Sequence, residues 1–326
     1  MGWYPSSDIE MLHTRAAFLS NIREFFKQRE VLEVDVPALS RGTVTDVFLE
    51  ALETQHQLPG SQESTLLYLQ TSPEFYMKRL LAAGSGDIFY LGKSYRNDEV
   101  GRHHSPEFTM LEWYRCGFSM QQLIDEISAL VNVLLGISSE QITYQQVFQN
   151  LLGFNPLSVS LEDMLIMAER YDLLEYAELL KTESSDSQYF IDSLLQVLFN
   201  RHIEPKIGQD KPVIVTHFPA SQASLAKLSG DKHTALRFEM YFKQLELANG
   251  FEELTDSKEQ AIRFKQDNKQ RKKLNKQIKP IDHAFLSALE SGLPECSGVA
   301  IGVDRLLMLK TGKPHIRQVL PFSLYD

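Results

Sequence analysis

The sequence predicts an α+β fold built around an antiparallel sheet. Three observations carry that expectation. Candidate strands fall next to the strands they would pair with, candidate helices are grouped between them, and 326 residues with 43% hydrophobic content supply one sizeable core.

Each element has its own local reason. Residues 14–29 place Phe18, Ile22, Phe25 and Phe26 at helical spacing, and Val31, Leu32, Val34 and Val36 follow as a short strand closed by Pro37. Residues 66–70 read as a strand. Ser72-Pro73-Glu74 opens a helix through Ala83, with proline where its missing N–H costs nothing. Residues 88–96 and 108–115 form an antiparallel hairpin whose long polar loop has the composition of a functional one. From about 120 to 206 the periodicity is mostly helical, with breaks near Gly136, 153–156 and 182–187. This stretch is read as a helical insertion in a single catalytic domain spanning 1–326. Strands return at 212–218 and 237–254, a charged helix starts at Asp256, and a Gly-rich strand turns into an apolar helix over 297–309.

Composition narrows the function. A formal net charge of -10 disfavours broad contact with nucleic acid, whose phosphates are held mainly by Lys and Arg clusters. Cys116 and Cys296 are far apart in sequence and form no CxxC pair, so neither a disulfide framework nor a zinc knuckle is indicated and a reducing cytoplasm is expected. No apolar run reaches the roughly 18 residues of a membrane span, and no leader pattern opens the chain.

Three stretches mimic familiar chemistry. Residues 86–94 approach a phosphate-binding loop, but five residues separate the glycines and they read as an apolar strand. His103, His104 and Glu107 suggest a metal site, yet they lack i, i+4 spacing and Pro106 argues against a helix. The basic run at 263–279 reads first as a solvated helix face and second as a docking surface for an acidic macromolecule.

One constellation is specific. Arg96-Asn97-Asp98 enters the hairpin loop, Phe108 leaves it, and Gly298-Val299-Ala300-Ile301-Gly302-Val303-Asp304-Arg305 lies far downstream. Together they resemble motifs two and three of class II aminoacyl-tRNA synthetases, and residues 31–37 resemble motif one, the helix-strand-proline unit that forms homodimers. Three motifs in order on the expected elements are not an accident of short patterns. The resemblance implies attack of an amino-acid carboxylate on the α-phosphate of ATP. Fixed guanidinium groups suit the charge that builds there. It places Arg96 on the α-phosphate, Arg305 on the γ-phosphate side and Phe108 beneath adenine. Asp98 stands where the family has Glu, Ser105 where it has Asn, and Asn97, Leu247 and Gly302 complete the ATP set. Glu239 and Glu246 take the family's magnesium positions, which requires a bulge or bend between them if they lie on one strand.

Thr71-Ser72-Pro73-Glu74, residues 106–114 and residues 246–254 resemble the lysyl branch. By position, Ser72, Pro73, Glu74, Tyr114, Asn249 and Glu253 line the amino-acid pocket, with Glu74 and Glu253 forming an anionic cleft for two ammonium groups. Two departures matter. The motif-one helix begins near Thr14, leaving no room for an anticodon-binding barrel, and Ala300 replaces a pocket glycine. Both are shared with the lysyl-type paralogues that attach (R)-β-lysine to a lysine of translation elongation factor P. That reaction is the expectation, with tRNA not the expected acceptor. A truncated lysyl-type enzyme acting on tRNA and a non-catalytic amino-acid sensor are the competing readings.

Overall fold

The structure is a computed structural model that describes residues 3–57, 59–60, 63–97, 100–183 and 186–324. Helix α1 (Ile9–Lys27) starts where the Asp8 carboxylate accepts the Met11 N–H. The strand expected at 31–36 shrinks to β1 (Leu32–Glu33), which pairs parallel with a later strand. Next, β2 (Leu39–Ser40), β3 (Glu53–Gln57) and β4 (Ser64–Leu69) make a small antiparallel sheet in the order β2-β4-β3. Helix α2 (Glu74–Ala82) leads into β5 (Ile88–Tyr95) and β6 (Glu107–Cys116), the expected antiparallel hairpin.

The central stretch holds α3 (Met120–Leu135), β7 (Glu140–Thr143), α4 (Tyr144–Leu152), α5 (Leu161–Arg170), α6 (Leu174–Glu183) and α7 (Ser187–Leu198). Strand β7 interrupts a region whose periodicity reads as helical. It is four residues long and pairs parallel with β8 (Val213–Thr216). The final third supplies β9 (Arg237–Phe242), β10 (Leu245–Glu252), α8 (Ser257–Lys273), α9 (His283–Gly292), β11 (Cys296–Gly302) and α10 (Val303–Thr311).

Among the described residues, eight strands form the main sheet in the order β1-β5-β6-β11-β10-β9-β8-β7. It is antiparallel except at its two edges. One face packs on α1, α3 and α10 through Phe26, Trp113, Ile127, Val299 and Leu306. Toward the β5–β6–β11 side, the opposite face packs on α2 and α9 through Phe75, Phe285, Tyr90 and Leu289. Tyr144, Phe148, Leu194 and Phe199 of the helical layer close on Val213, Val215 and Tyr241 at the β8–β9 end. Among the described residues no helix is long and apolar enough to cross a membrane.

The region 237–254 corrects the sequence reading. It is a hairpin with a two-residue turn, not one bent strand: Phe242 opposes Leu245, and Lys243 and Gln244 both have positive φ, 52° and 63°. Two such residues match the twist of flanking strands, so the chain reverses between Glu239 and Glu246.

Candidate active site

Strand alternation decides which side chains meet. On β6, Leu111 and Trp113 enter the core beneath the sheet, so Met110, Glu112 and Tyr114 face the other way. The register then lines up two rungs. Glu112 opposes Ala300, Ala300 opposes Asn249, and Asn249 opposes Glu239. One step along, Tyr114 opposes Gly298, Gly298 opposes Phe251, and Phe251 opposes Arg237. A single cavity is lined by these rungs, Glu239 excepted, together with Ser72, Glu74, Arg96 and Glu253.

Gly298 is the point of closest approach. A Cβ there would lie 2.3 Å from the Tyr114 ring and 2.7 Å from Glu253 Oε1, so only glycine lets both side chains keep their places.

The carboxylate end of the cavity is denser than its sequence suggests. Ser72 donates to Glu112 Oε2 at 2.7 Å and accepts the Glu74 N–H, while Tyr114 donates to Glu112 Oε1 at 2.7 Å. Between Glu74 and Glu253 sits the Lys78 ammonium, 2.6 Å from an oxygen of each and fully buried. The expected space for two ammonium groups between Glu74 and Glu253 is therefore corrected: the protein's own lysine fills the position that joins them. Burial opposes the Lys78 charge, but Glu253 and Glu74 outweigh it and raise its pKa. Burial raises Glu112 to about 7, helped by Glu74 and opposed by Ser72 and Tyr114. Burial likewise raises Glu253 to about 8, with Lys78 holding it back and Glu74 and Glu112 adding to the rise.

The cationic end adjoins this cluster. The Arg96 guanidinium lies 5.2 Å from the Phe108 ring centroid, and its backbone N–H donates to the Pro106 carbonyl at 2.9 Å. Arg305 donates to the Glu246 carbonyl at 2.7 Å and to the His103 carbonyl at 3.3 Å. Burial and then the Glu239 charge push Glu246 up to about 7, against the fields of Arg305, Arg237 and Arg96. Glu239 and Glu246 thus stand close together, through the hairpin turn and a second irregularity. Glu246 and Asn249 are three apart and would face opposite sides of a regular strand; a bulge between Glu246 and Ala248 puts both on the cavity side. Glu239 is already engaged, accepting from Arg237 and from the Tyr241 hydroxyl.

The remaining expected residues divide. Asn97 is exposed at the loop entrance, its N–H on the Glu50 carbonyl, and Ser105 is half-buried just ahead of Pro106 and β6. Gly302 caps α10 beside Arg305. Pro73 caps α2. The Leu247 side chain is buried in the core on the other face, so only its backbone can serve a ligand. Asp98 lies outside the described residues.

Helix α8 braces both walls, which corrects the reading of the basic run as a solvated face. Arg271 is fully buried and donates to the carbonyls of Gln277 and Asp46 at 2.7 and 2.6 Å, besides pairing with Glu50. Lys279 pairs with Glu50 and Glu53, and Lys276 donates to the Val47 carbonyl. Arg263 holds the facing wall through the Ser224 and Ala226 carbonyls at 2.7 and 2.8 Å. Of the basic residues in the run, Lys265, Lys269, Lys272 and Lys273 are exposed.

Lys78, Glu112, Arg237 and Tyr241 were missed from sequence. Two had a usable signal: Lys78 is one helical turn from Glu74, and Glu112 is two strand residues from Tyr114. The other two are placed by the 243–244 turn, which the sequence does not announce.

A family model described as tRNA synthetases class II (D, K and N) matches residues 6–325. The chain is 50% identical over 325 residues to a Proteus mirabilis (strain HI4320) protein named elongation factor P–(R)-β-lysine ligase, covering 99% of this chain and 98% of that one. A Vibrio vulnificus (strain YJ016) protein of the same name is 50% identical over 322 residues, covering 98% and 97%. A third of that name, from Yersinia enterocolitica, is 50% identical over 324 residues, covering 99% and 97%.

Proposed function

The chain belongs to the class II tRNA synthetase family of the D, K and N type, and from that premise we propose that it is an ATP-dependent ligase that activates (R)-β-lysine and transfers it to the ε-amino group of a lysine on elongation factor P. The observation that carries this reading is the union, in one cavity, of a carboxylate cluster, half-buried Glu74 with buried Glu112 and Glu253, and the guanidinium of Arg96. Carboxylates suit the two ammonium groups of a diamino acid; the cation suits the phosphate that its carboxylate must attack.

The chemistry divides between the two ends. In the first step a carboxylate oxygen of β-lysine bonds to the α-phosphorus, the bond to the bridging oxygen breaks, and pyrophosphate departs. Arg96 meets charge on the α-phosphate, Arg305 meets it on the leaving side, and Phe108 stacks on adenine. In the second step an uncharged acceptor amine bonds to the acyl carbon, AMP leaves with the bonding electrons, and a proton is released. Ser72, Tyr114 and Asn249 orient the amino acid, and Ala300 shapes the floor between Glu112 and Asn249.

Magnesium fits the cationic end by donor chemistry. Glu246 offers hard oxygens where burial and the Glu239 charge leave the site short of positive charge. Glu246 would hold the ion with Glu239 beside it, and a bound Mg²⁺ would neutralise phosphate charge.

We further take residues 1–326 to work as one catalytic domain with its helical layer as an insertion, to pair as a homodimer through the α1–β1 region, and to act in the cytoplasm, where a translation factor is met. The test supplies ATP, labelled (R)-β-lysine or α-lysine, and either elongation factor P or tRNA. Label from β-lysine on elongation factor P, with AMP released, is expected. Label on tRNA alone, or no pyrophosphate exchange with either amino acid, overturns the proposal.

A further inference from the structure

We propose that Lys78 is a positioning residue that sets the charge of the fully ionised, ligand-bound amine pocket at two negative units, so that the pocket is balanced by a ligand carrying two ammonium groups. This deepens the reading above and rests on it.

The geometry supplies the argument. Glu74 opens α2 and Lys78 lies one turn later, where a long side chain leans back toward the helix N-terminus and reaches its i−4 neighbour. Its ammonium then meets Glu253, from just beyond β10, at the same 2.6 Å. The side chain has no exposure at all and its ammonium is 5.8 Å from the Phe285 ring centroid. A fully buried ammonium costs several kcal/mol in lost hydration and is kept only where fixed anions offset it; methionine of similar volume would avoid that cost but leave the Glu74 and Glu253 carboxylates uncompensated. Retaining a lysine here therefore indicates a use for its charge.

Charge counting gives that use. Once ionised by the bound ligand, Glu74, Glu112 and Glu253 bring three negative charges and Lys78 brings one positive, leaving two negative. A diamino acid brings two ammonium groups. An amino acid with one ammonium leaves a buried negative charge unbalanced, and a pocket without Lys78 leaves one even with the correct ligand. The titratable groups around Lys78 are Glu74 on its own helix, Glu253, Glu112 and Tyr114 on β6, and Cys296 on β11. The raised Glu112 and Glu253 add a linked consequence. Ammonium binding ionises them fully, so ligand binding near pH 7 to 8 releases protons.

The test uses Lys78→Met, Lys78→Arg and the double variant Lys78→Met/Glu253→Gln, which removes one charge of each sign and restores the count of two. Readouts are KM for (R)-β-lysine and for ATP in pyrophosphate exchange, and calorimetric proton release on β-lysine binding in two buffers of different ionisation enthalpy. Expected are a KM for β-lysine at least ten-fold higher in Lys78→Met with KM for ATP within two-fold, altered proton release, and near-recovery in Lys78→Arg. The double variant is expected to bind β-lysine more tightly than Lys78→Met alone, an outcome that a merely structural lysine would not give. Unchanged KM and proton release in Lys78→Met, or a double variant that binds β-lysine no more tightly than Lys78→Met, overturns the proposal. If Lys78→Met fails to fold, the double variant against Glu253→Gln alone decides: equal or worse binding in the double variant overturns it. A wild-type protein that does not activate β-lysine defeats the underlying reading instead.

Discussion

Asp304 accepts the Arg15 guanidinium on one oxygen at 2.6 Å and the Thr109 backbone N–H on the other at 2.7 Å, one residue before Arg305. Arg15 also donates to the Thr109 hydroxyl at 2.6 Å, and both charged groups are buried. This one pair joins α1, β6 and the start of α10, and so fixes the helix that aims Arg305 at the site. Removing one partner of a buried pair leaves the other uncompensated, which costs about 3–5 kcal/mol. Asp304→Asn and Arg15→Met are each expected to lower unfolding stability by that order in urea titrations. Losses under about 1 kcal/mol would mean that water reaches the pair.

The buried carboxylates set a pH dependence whose sign follows from their shifts. Glu112 and Glu246 are raised to about 7 and Glu253 to about 8, each chiefly by burial, from an ordinary 4.5. A group that binds its proton more tightly when folded contributes stability below its unfolded pKa and loses it as pH rises through the folded value. Glu50, lowered by Lys279 and Arg271 against the opposing effect of burial, works the other way on the acid side. Ligand-free protein is expected to be most stable near pH 5 and to lose on the order of a few kcal/mol by pH 8.5. Saturating β-lysine and Mg-ATP, which bring cations to these carboxylates, should flatten the fall. A flat urea midpoint from pH 5 to 8.5 without ligand would contradict the assignment.

What the sequence disclosed depended on how local the cause was. The hairpin at 88–116 was legible because alternation and a polar loop are local signals, and Arg96, Tyr114 and Glu253 because their motifs are contiguous. The 243–244 turn was not. Lys243-Gln244 adopts positive φ at both positions without the Asn or Gly that usually marks such a turn, so the hairpin read as one strand. Lys78 escaped notice because its second partner, Glu253, is distant in sequence. Arg271 did because a basic run looks solvated until the loop it holds is known.

That loop gives the next expectation. Arg271 spans the Gln277 and Asp46 carbonyls and the Glu50 carboxylate, and Val44, Thr45, Asp46 and Leu49 beside it line the cavity. Arg271→Met strands these acceptors and should cost roughly 3 kcal/mol while speeding amide exchange across residues 44–50. Arg271→Lys should recover only part of this, since an ammonium lacks the planar fork that reaches several acceptors at once. Unchanged exchange in 44–50 would show that Lys276 and Lys279 hold the loop without it.

Gly298 and Ala300, two residues apart on β11, face the same cavity and should respond in opposite ways. A methyl group at Gly298 meets the Tyr114 ring at 2.3 Å, backed by the sheet, and Glu253 at 2.7 Å. Gly298→Ala must therefore displace side chains of the amine pocket, and at least a ten-fold rise in KM for β-lysine is expected with little change for ATP. At position 300 a methyl group is already present, between Glu112 on one neighbouring strand and Asn249 on the other. It occupies floor space near where the amino acid's carboxylate end must lie to face Arg96. Ala300→Gly opens that space to a substituent on the α-carbon and is expected to shift the ratio of kcat/KM for β-lysine over α-lysine toward α-lysine. A methyl-sized change in a pocket is worth about 1–3 kcal/mol, so the shift should fall between roughly ten-fold and two-hundred-fold. Pyrophosphate exchange with each amino acid measures it directly. A ratio within two-fold of wild type would remove Ala300 from the selectivity determinants and leave the charge balance around Lys78 to account for the choice of ligand.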